Sequence, residues 1–597
     1  MVSAALSPQK AVFKGVVKIL AIVGVLWFLT KWLVPGAPDY RGGTSPRIFI
    51  WVAAELHLMF AAFVLGVPIF AVVAEVIGVT TKDERYDRLA YEFTKLLFLA
   101  FTITAVLGAG LFIGLIAFYP KFYAYMSKIF GDTYYVYIAL LLSEAIYAYL
   151  YYYTWEALKD HKWFHIGLGV MLNVAGTAIM FVANSWGSFM MSPAGMNAIG
   201  QVDSLWAAFS NLTWMPLNIH RIIGNIAFGG LIVGAYAAVK FLQAKTDEER
   251  AHYDWMGYTG NFIGMIGMIP MPFAGYYLAR EIYEFDRTMG VSMMGGLFSW
   301  LFIIQAVLIG LLFLAANYYI WIGMRRIEGG ERFAKYQLAL LGILILSFVV
   351  WMTPRNLIMT PSEQAIIGTF HPIVKYFGLM SGKLTVVNLI ILSTFISFLL
   401  YQRANKIEVV AWAKVGKLLQ GLIFLVASTY VIYLGVKGYT VPDEVRINIF
   451  SVRQVLVVLA VLVSVTVIDI FMFRNARKTG EIQWGKMPPR SQYALILLAV
   501  SVILLMGLMG YIRSGLRQEW HVSAVVREGI ALYPGLRDQS AGAFTPSIAY
   551  ATKVIALTSA LFIGFVMFVF WLGGRTQNSA VRIQKSEGEN QKPEGHV

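Results

Sequence analysis

The sequence predicts an all-α fold, a polytopic membrane helix bundle of about fourteen transmembrane helices. Three observations carry this. Of 597 residues, 58% are hydrophobic and only 14% are charged. Apolar runs of about 20 residues, each long enough to cross a bilayer, follow one another along the chain. Lys and Arg collect in alternate connections, as orientation in a membrane requires.

The runs begin near Phe13, Ile48, Leu89, Tyr134, Phe164, Leu217, Met256, Met293, Tyr336, Thr385, Val415, Ile449, Tyr493 and Tyr550. The first is too long for a cleaved signal peptide and no small-residue cleavage site follows it. Basic residues stand before the first run (Lys10, Lys14, Lys18). They recur at Lys82–Arg88, Lys159–Lys162, Lys240–Arg250, Arg325–Arg332, Arg403–Lys406 and Arg474–Arg490, then in the tail at Arg575, Arg582 and Lys585. The positive-inside rule makes that side cytoplasmic, with both termini on it, in a prokaryotic cytoplasmic membrane. The other side holds long Gly/Pro-rich loops at 35–46, 187–216, 353–383 and 515–546. Loops of such length are more often functional than short turns are.

Composition also excludes chemistry. The chain has no Cys, so disulfides, thiolate-held iron–sulfur clusters and covalently attached c-type haem are ruled out. The net charge of +15 reflects cytoplasmic loops rather than nucleic-acid binding. Aromatics reach 15%, which suits interface belts and flat cofactors.

Against that background His57 and His220 stand out. Each lies inside an apolar run, where an ionisable group is costly and needs a partner or a function. His57 falls about 15 Å into its run from the outer side, at 1.5 Å per residue. His220 lies a few residues into its own run from the same side. A single membrane histidine can simply bond a neighbouring carbonyl, but two in one layer favour a metal cofactor such as haem. Glu144 sits mid-run within Leu-Leu-Ser-Glu-Ala-Ile-Tyr, among many tyrosines, and must be protonated, paired or metal-bound. Glu55 projects to another helix face than His57, and its role is open. Asn184 and Trp186 end an apolar run at the outer face.

Four stretches together resemble subunit I of the cytochrome bd oxidases. His57, Gly66 and Glu75 match the family's haem-ligand helix in type and spacing. Glu144, followed by aromatics and Trp155, matches its acidic core helix. Ala183-Asn184-Ser185-Trp186, with Pro193 and Gly195, resembles its Ala-Asn-Gly-Trp-Met-Gln-x-Pro motif. Leu516-Arg517-Gln518-Glu519-Trp520 resembles its Gly-Arg-Gln-Pro-Trp motif. The likeness covers residues 45–245 well and 490–575 loosely.

The resemblance implies quinol oxidation at the outer side, electron passage through haem b, and oxygen reduction at a high-spin haem pair. It implies low-spin haem b on His220 and a high-spin haem b or d on His57, with Asn184 and Trp186 in the cofactor layer. Glu144 would serve the proton route or flank the high-spin haems, and Arg517 would neutralise propionates. A second membrane subunit is the expected partner. Two family carboxylates are replaced, by Val136 and Ser514, and the quinol loop has no counterpart in the short 280–290 connection. The methionine pairing with His220 is open among Met265, Met268, Met271, Met293 and Met294. His521, just past the arginine motif, is a candidate replacement ligand, whereas His371 reads as a loop contact. His161, His165 and His252 read as cytoplasmic loop chemistry.

The expected organisation is an extra N-terminal helix (1–44), a haem-binding core (45–330), additional helices (331–480), C-terminal core helices (481–575) and a polar tail (576–597). Two redox readings stand: a terminal oxidase, or an electron conduit between quinone and a c-type cytochrome that reduces no oxygen. A secondary transporter is the alternative of another class. Its site is expected at the membrane midplane, whereas these histidines gather toward one face.

Overall fold

The computed structural model describes residues 46–197, 200–295, 298–353, 380–517, 520–527, 555, 557–564 and 567–568. The runs expected near Phe13 and, for the most part, Tyr550 lie outside these residues, as do His371, Gln518 and Glu519.

The described chain is a bundle of α-helices. α1 (Pro46–Thr81), α2 (Glu84–Phe118), α3 (Pro120–Phe130), α4 (Thr133–Tyr153), α5 (Lys162–Met191), α6 (Leu205–Phe209), α7 (Trp214–Gln243), α8 (Asp247–Met268), α9 (Met271–Phe285) and α10 (Arg287–Ser292) come first. There follow α11 (Ser299–Gly323), α12 (Ala334–Trp351), α13 (Met380–Gln402), α14 (Ala413–Lys437), α15 (Asp443–Val445), a π-turn at Arg446–Ser451, α16 (Val452–Phe473) and α17 (Pro489–Leu516). Twelve spans among the described residues are long and apolar enough to cross a membrane. Each coincides with one of the apolar runs read from the sequence.

Local chemistry sets the helix ends. Asp83 caps α2 by accepting the Arg85 N–H, and Thr246 caps α8 by accepting from Glu249 N–H. Proline opens α3 and α17 at positions where its missing N–H leaves no helical bond unmade. Two short antiparallel pairings tie connections together. β1 (Lys406–Ile407) pairs with β2 (Arg477–Lys478), and β3 (Trp520–Val522) with β4 (Val526–Arg527).

The helices alternate in direction, so the loops rich in Lys and Arg gather at one end of the bundle, the basic end. The main core joins α1, α2, α7, α8, α11 and α17 around Met59, Val67, Phe93, Phe228, Tyr319 and Leu495. Close approach is built in at Gly66, where a Cβ would run into the Asn225 carbonyl of α7. A separate cluster around Ile391, Phe395, Val431, Val458 and Val465 joins α13, α14 and α16 and includes Phe273 of α9. On α14 and α16, Leu418, Leu422, Leu425 and Val463 point outward with most of their area free, as expected of side chains that face lipid.

Two readings are corrected by packing. His165 does not belong to a loop. It is fully buried between α5, α1 and α4. His252 is likewise buried, on α8 beside Glu92, Tyr253 and Trp255. Both histidines follow a basic loop closely in sequence, but helices reaching past the loop enclose them.

Candidate functional site

The site forms where five helix ends meet, opposite the basic end. α1 brings Glu55 and His57 in its first three turns, and α7 brings Asn218, His220 and Arg221 in its first two. α5 contributes Asn184 and Gly187 near its end, and α17 contributes Gly510 and Arg513. α2 closes one side with Thr104 and Gly108. Alternating helix direction alone puts these segments, far apart in sequence, in one layer.

His57 has one ring nitrogen engaged by the backbone. Its Nδ1–H donates to the Thr104 carbonyl at 3.0 Å. That bond fixes the tautomer and leaves Nε2 with its lone pair, the arrangement usual for metal-ligating histidines. The ring lies on Gly108, whose absent Cβ would sit 2.9 Å from Cε1, so only glycine leaves this face open. His220 differs. Its Nδ1 is buried and has no hydrogen-bond partner. A buried unpaired ring nitrogen costs on the order of 1–3 kcal/mol, which a ligand would recover. Its ring faces Gly275 of α9, 3.7 Å from where a Cβ would stand. Met271, one turn from Gly275, touches the position of Gly224, one turn below His220.

Between the histidines lies charge that the sequence reading had missed. Arg221 donates to the Asn184 side-chain oxygen, and Asn184 Nδ2 donates to Asn218 Oδ1 at 2.7 Å. Arg513 donates to the Gly187 carbonyl. Glu55 lies against Gly510, where any Cβ would collide with its carboxylate, and within electrostatic reach of both arginines. Arg221 also lies within reach of His57 and Tyr137. Two guanidinium groups therefore face one carboxylate inside an apolar bundle. His57, His220, Arg221 and Arg513 are each partly rather than fully buried.

The remaining candidates disperse. Glu144 is buried, with its carboxylate 2.9 Å from the position of a Gly176 Cβ and beside Leu65, deeper in the bundle than the histidines. Trp186 leaves the cluster to pack on Phe130 and Tyr134, at ring distances of 5.7 and 5.8 Å. Arg517 donates to the His521 carbonyl. The His521 ring stacks near Tyr119 and Phe122, at 4.9 and 5.2 Å. Tyr119 follows Gly108 by eleven residues, about 16 Å along a helix, so His521 belongs to a different layer from His57. Arg221, with Arg513 near it, brings positive charge to the histidines. The signal was available, since each is an arginine within an apolar run. Counting Arg and Lys only by loop had hidden them.

Among the described residues no three His, Asp or Glu side chains gather to hold a bare metal ion. Single histidines beside open glycine faces suit a macrocycle that brings its own nitrogens.

Residues 46–299 match the family model for cytochrome bd terminal oxidase subunit I. A protein of Bacillus subtilis (strain 168), assigned by name as cytochrome bd menaquinol oxidase subunit I, is 24% identical over 241 residues, 38% of this chain and 52% of that protein. The chain thus matches about half the length of this curated relative. The bd oxidase structure from Geobacillus thermodenitrificans aligns with a TM-score of 0.46 at 13% identity, covering 89% of this chain and 98% of that one. Over residues 46–299, somewhat under half of its length, the chain is similar to subunit I of the cytochrome bd terminal oxidases.

Proposed function

We propose that the chain is a haem b-containing membrane oxidoreductase of the bd type. It takes electrons from a quinol, or from a cytochrome at the end opposite the basic loops, and delivers them through haem to oxygen. The observation that carries this is the layer in which His57 and His220 flank two arginines and one glutamate. Haem, when bound there, supplies one-electron redox chemistry and the place where oxygen is reduced.

The chain's own residues have distinct parts. His220, whose Nδ1 lacks a protein partner, would hold a low-spin haem b. His57, oriented by Thr104, would hold a second haem of b or d type. Arg221 and Arg513, with Asn184 and Asn218 beside them, hold propionates, because a buried excess of positive charge calls for an anion. This is the part the resemblance had given to Arg517. Glu144 carries protons toward the layer from deeper in the bundle. A second membrane subunit is the expected partner.

An electron conduit without oxygen reduction is the second reading, favoured by one observation. Val136, which replaces a family carboxylate, points outward with 53% of its area exposed, so α4 offers the layer no acid at that position.

The test is a reduced-minus-oxidised spectrum with pyridine haemochrome analysis and oxygen uptake on the purified protein. Haem b with quinol-dependent oxygen uptake is expected. A single low-spin haem inert to oxygen would select the conduit, and a protein without haem would defeat both readings.

A further inference from the structure

α9 has two faces, and each packs on a different part of the molecule. Residues 271, 275, 278 and 282 recur at helical spacing and meet the core. A Cβ on Gly275 would stand 3.7 Å from His220 Cε1 and 4.0 Å from Nδ1, and Met271 reaches the position of Gly224 on α7. Leu278 and Ile282 pack with Leu508 and Ile512 of α17. Residues 273, 276, 280 and 284 recur at the same spacing on the other side. Phe273 joins the cluster of α13, α14 and α16. The Tyr276 hydroxyl donates to the Ile447 carbonyl at 2.6 Å. Arg280 Nε donates to Asn448 Oδ1 at 2.9 Å, and Asn448 Nδ2 donates to Glu284 Oε1 at 3.1 Å.

Ile447 and Asn448 lie in the π-turn that precedes α16. Such turns are rare and concentrate where a helix serves a local task. Here the turn presents a backbone carbonyl and an amide side chain to α9. Just beyond it, buried Gln454 accepts from Thr385 Oγ1 at 3.4 Å and from Asn388 Nδ2 at 3.1 Å, both on α13. The π-turn is thereby fixed to the helices behind it. Those helices lie beyond residues 46–299, so α9 is braced from outside the stretch that matches the family model.

His220 depends on such bracing more than His57 does. Thr104 orients His57 through a hydrogen bond, whereas the buried Nδ1 of His220 has no partner. On that side only packing fixes the ring, and α9 is the helix that packs there. A displaced α9 would free the ring to turn.

We propose that Tyr276 and Asn448 are positioning residues: through them α13, α14 and α16 hold α9 against His220 and set the geometry in which its imidazole meets a haem. This rests on the haem reading above. Both residues act through α9, as groups that orient a metal ligand do without touching the metal.

The experiment takes two kinds of reading on the purified full-length chain. Hydrogen exchange over residues 271–285 reports how firmly α9 is held. The reduced absorption band and the rate of haem transfer to apo-myoglobin report on the ligand. Asn448→Ala removes the bonds to Arg280 and Glu284 together. Exchange over α9 is expected to quicken about 10-fold, as a locally opened helix does. Haem transfer is expected to quicken about 10-fold as well, the scale of losing an orienting group, with a shifted band. Tyr276→Phe deletes one hydroxyl, is expected to do less, and serves if Asn448→Ala fails to fold. Arg403→Met is the control, since it breaks the pair with Asp469 that joins the end of α13 to α16 at the basic end, away from α9. Unchanged exchange would overturn the proposal, and so would faster exchange with the band and transfer rate unchanged. An equal haem effect from Arg403→Met would overturn it too, by showing general loosening. A wild-type protein without haem would defeat the functional reading and this inference with it, whereas a haem-bearing wild type with indifferent variants would defeat this inference alone.

Discussion

The two ends of the bundle both bury ionisable groups, but they satisfy them differently. At the basic end every polar atom of the Glu75–His165 pair meets a donor or acceptor, and Lys162 and Asp87 balance each other. At the opposite end His220 Nδ1 and Asn218 Nδ2 have no partner, and two arginines outnumber Glu55. A satisfied buried network stabilises the protein as it stands. An unsatisfied one leaves orphaned groups in hydrocarbon, which is costly unless something else completes them. Unpartnered buried atoms also occur at the basic end, at Glu92 Oε2 and His252 Nε2, so what sets the opposite end apart is its excess of arginine over carboxylate.

The largest effect expected from breaking this contrast is at His220. Replacing it with leucine should abolish the low-spin haem signal while circular dichroism shows the same helix content; a retained signal would move the ligand elsewhere. His165→Leu should act in the opposite sense. It leaves Glu75 buried without its partner, a loss of about 3–5 kcal/mol, read as a lower unfolding temperature with haem content per folded protein unchanged.

Arg221→Met removes one charge-assisted contact to the proposed propionates. Haem retention against apo-myoglobin as acceptor should fall about 10- to 100-fold, equivalent to about 1.5–3 kcal/mol. An unchanged value would show that the excess charge serves another anion. The smallest effect is expected at His521, whose ring packs on Tyr119 and Phe122. His521→Ala should cost about 0.5–1.5 kcal/mol of stability and leave the haem spectrum untouched; a shifted spectrum would return His521 to the ligand shell.

Much of this was legible in the sequence, and the misses have physical causes. Twelve spans were readable because lipid demands long apolar runs, a signal that survives without any tertiary contact. His57, His220 and Glu144 stand out in the sequence because ionisable groups are rare in such runs. Arg221 and Arg513 were passed over beside them, although the same rule applies. His165 and His252 were misplaced because loop proximity in sequence does not reveal which neighbouring helices extend past the loop. Arg517 and His521 were placed with the haems by motif, yet the His521 ring packs on Tyr119 and Phe122 and Arg517 donates to the His521 carbonyl.

Hydrophobic length and the cost of buried charge are local properties of the chain, so the amino-acid order alone showed the membrane helix bundle and drew attention to the two histidines. Only the tertiary structure decided which charges share a layer, which nitrogen is already bonded and which is left over. Those depend on how antiparallel helices bring residues hundreds of positions apart, such as Glu55 and Arg513, against one another.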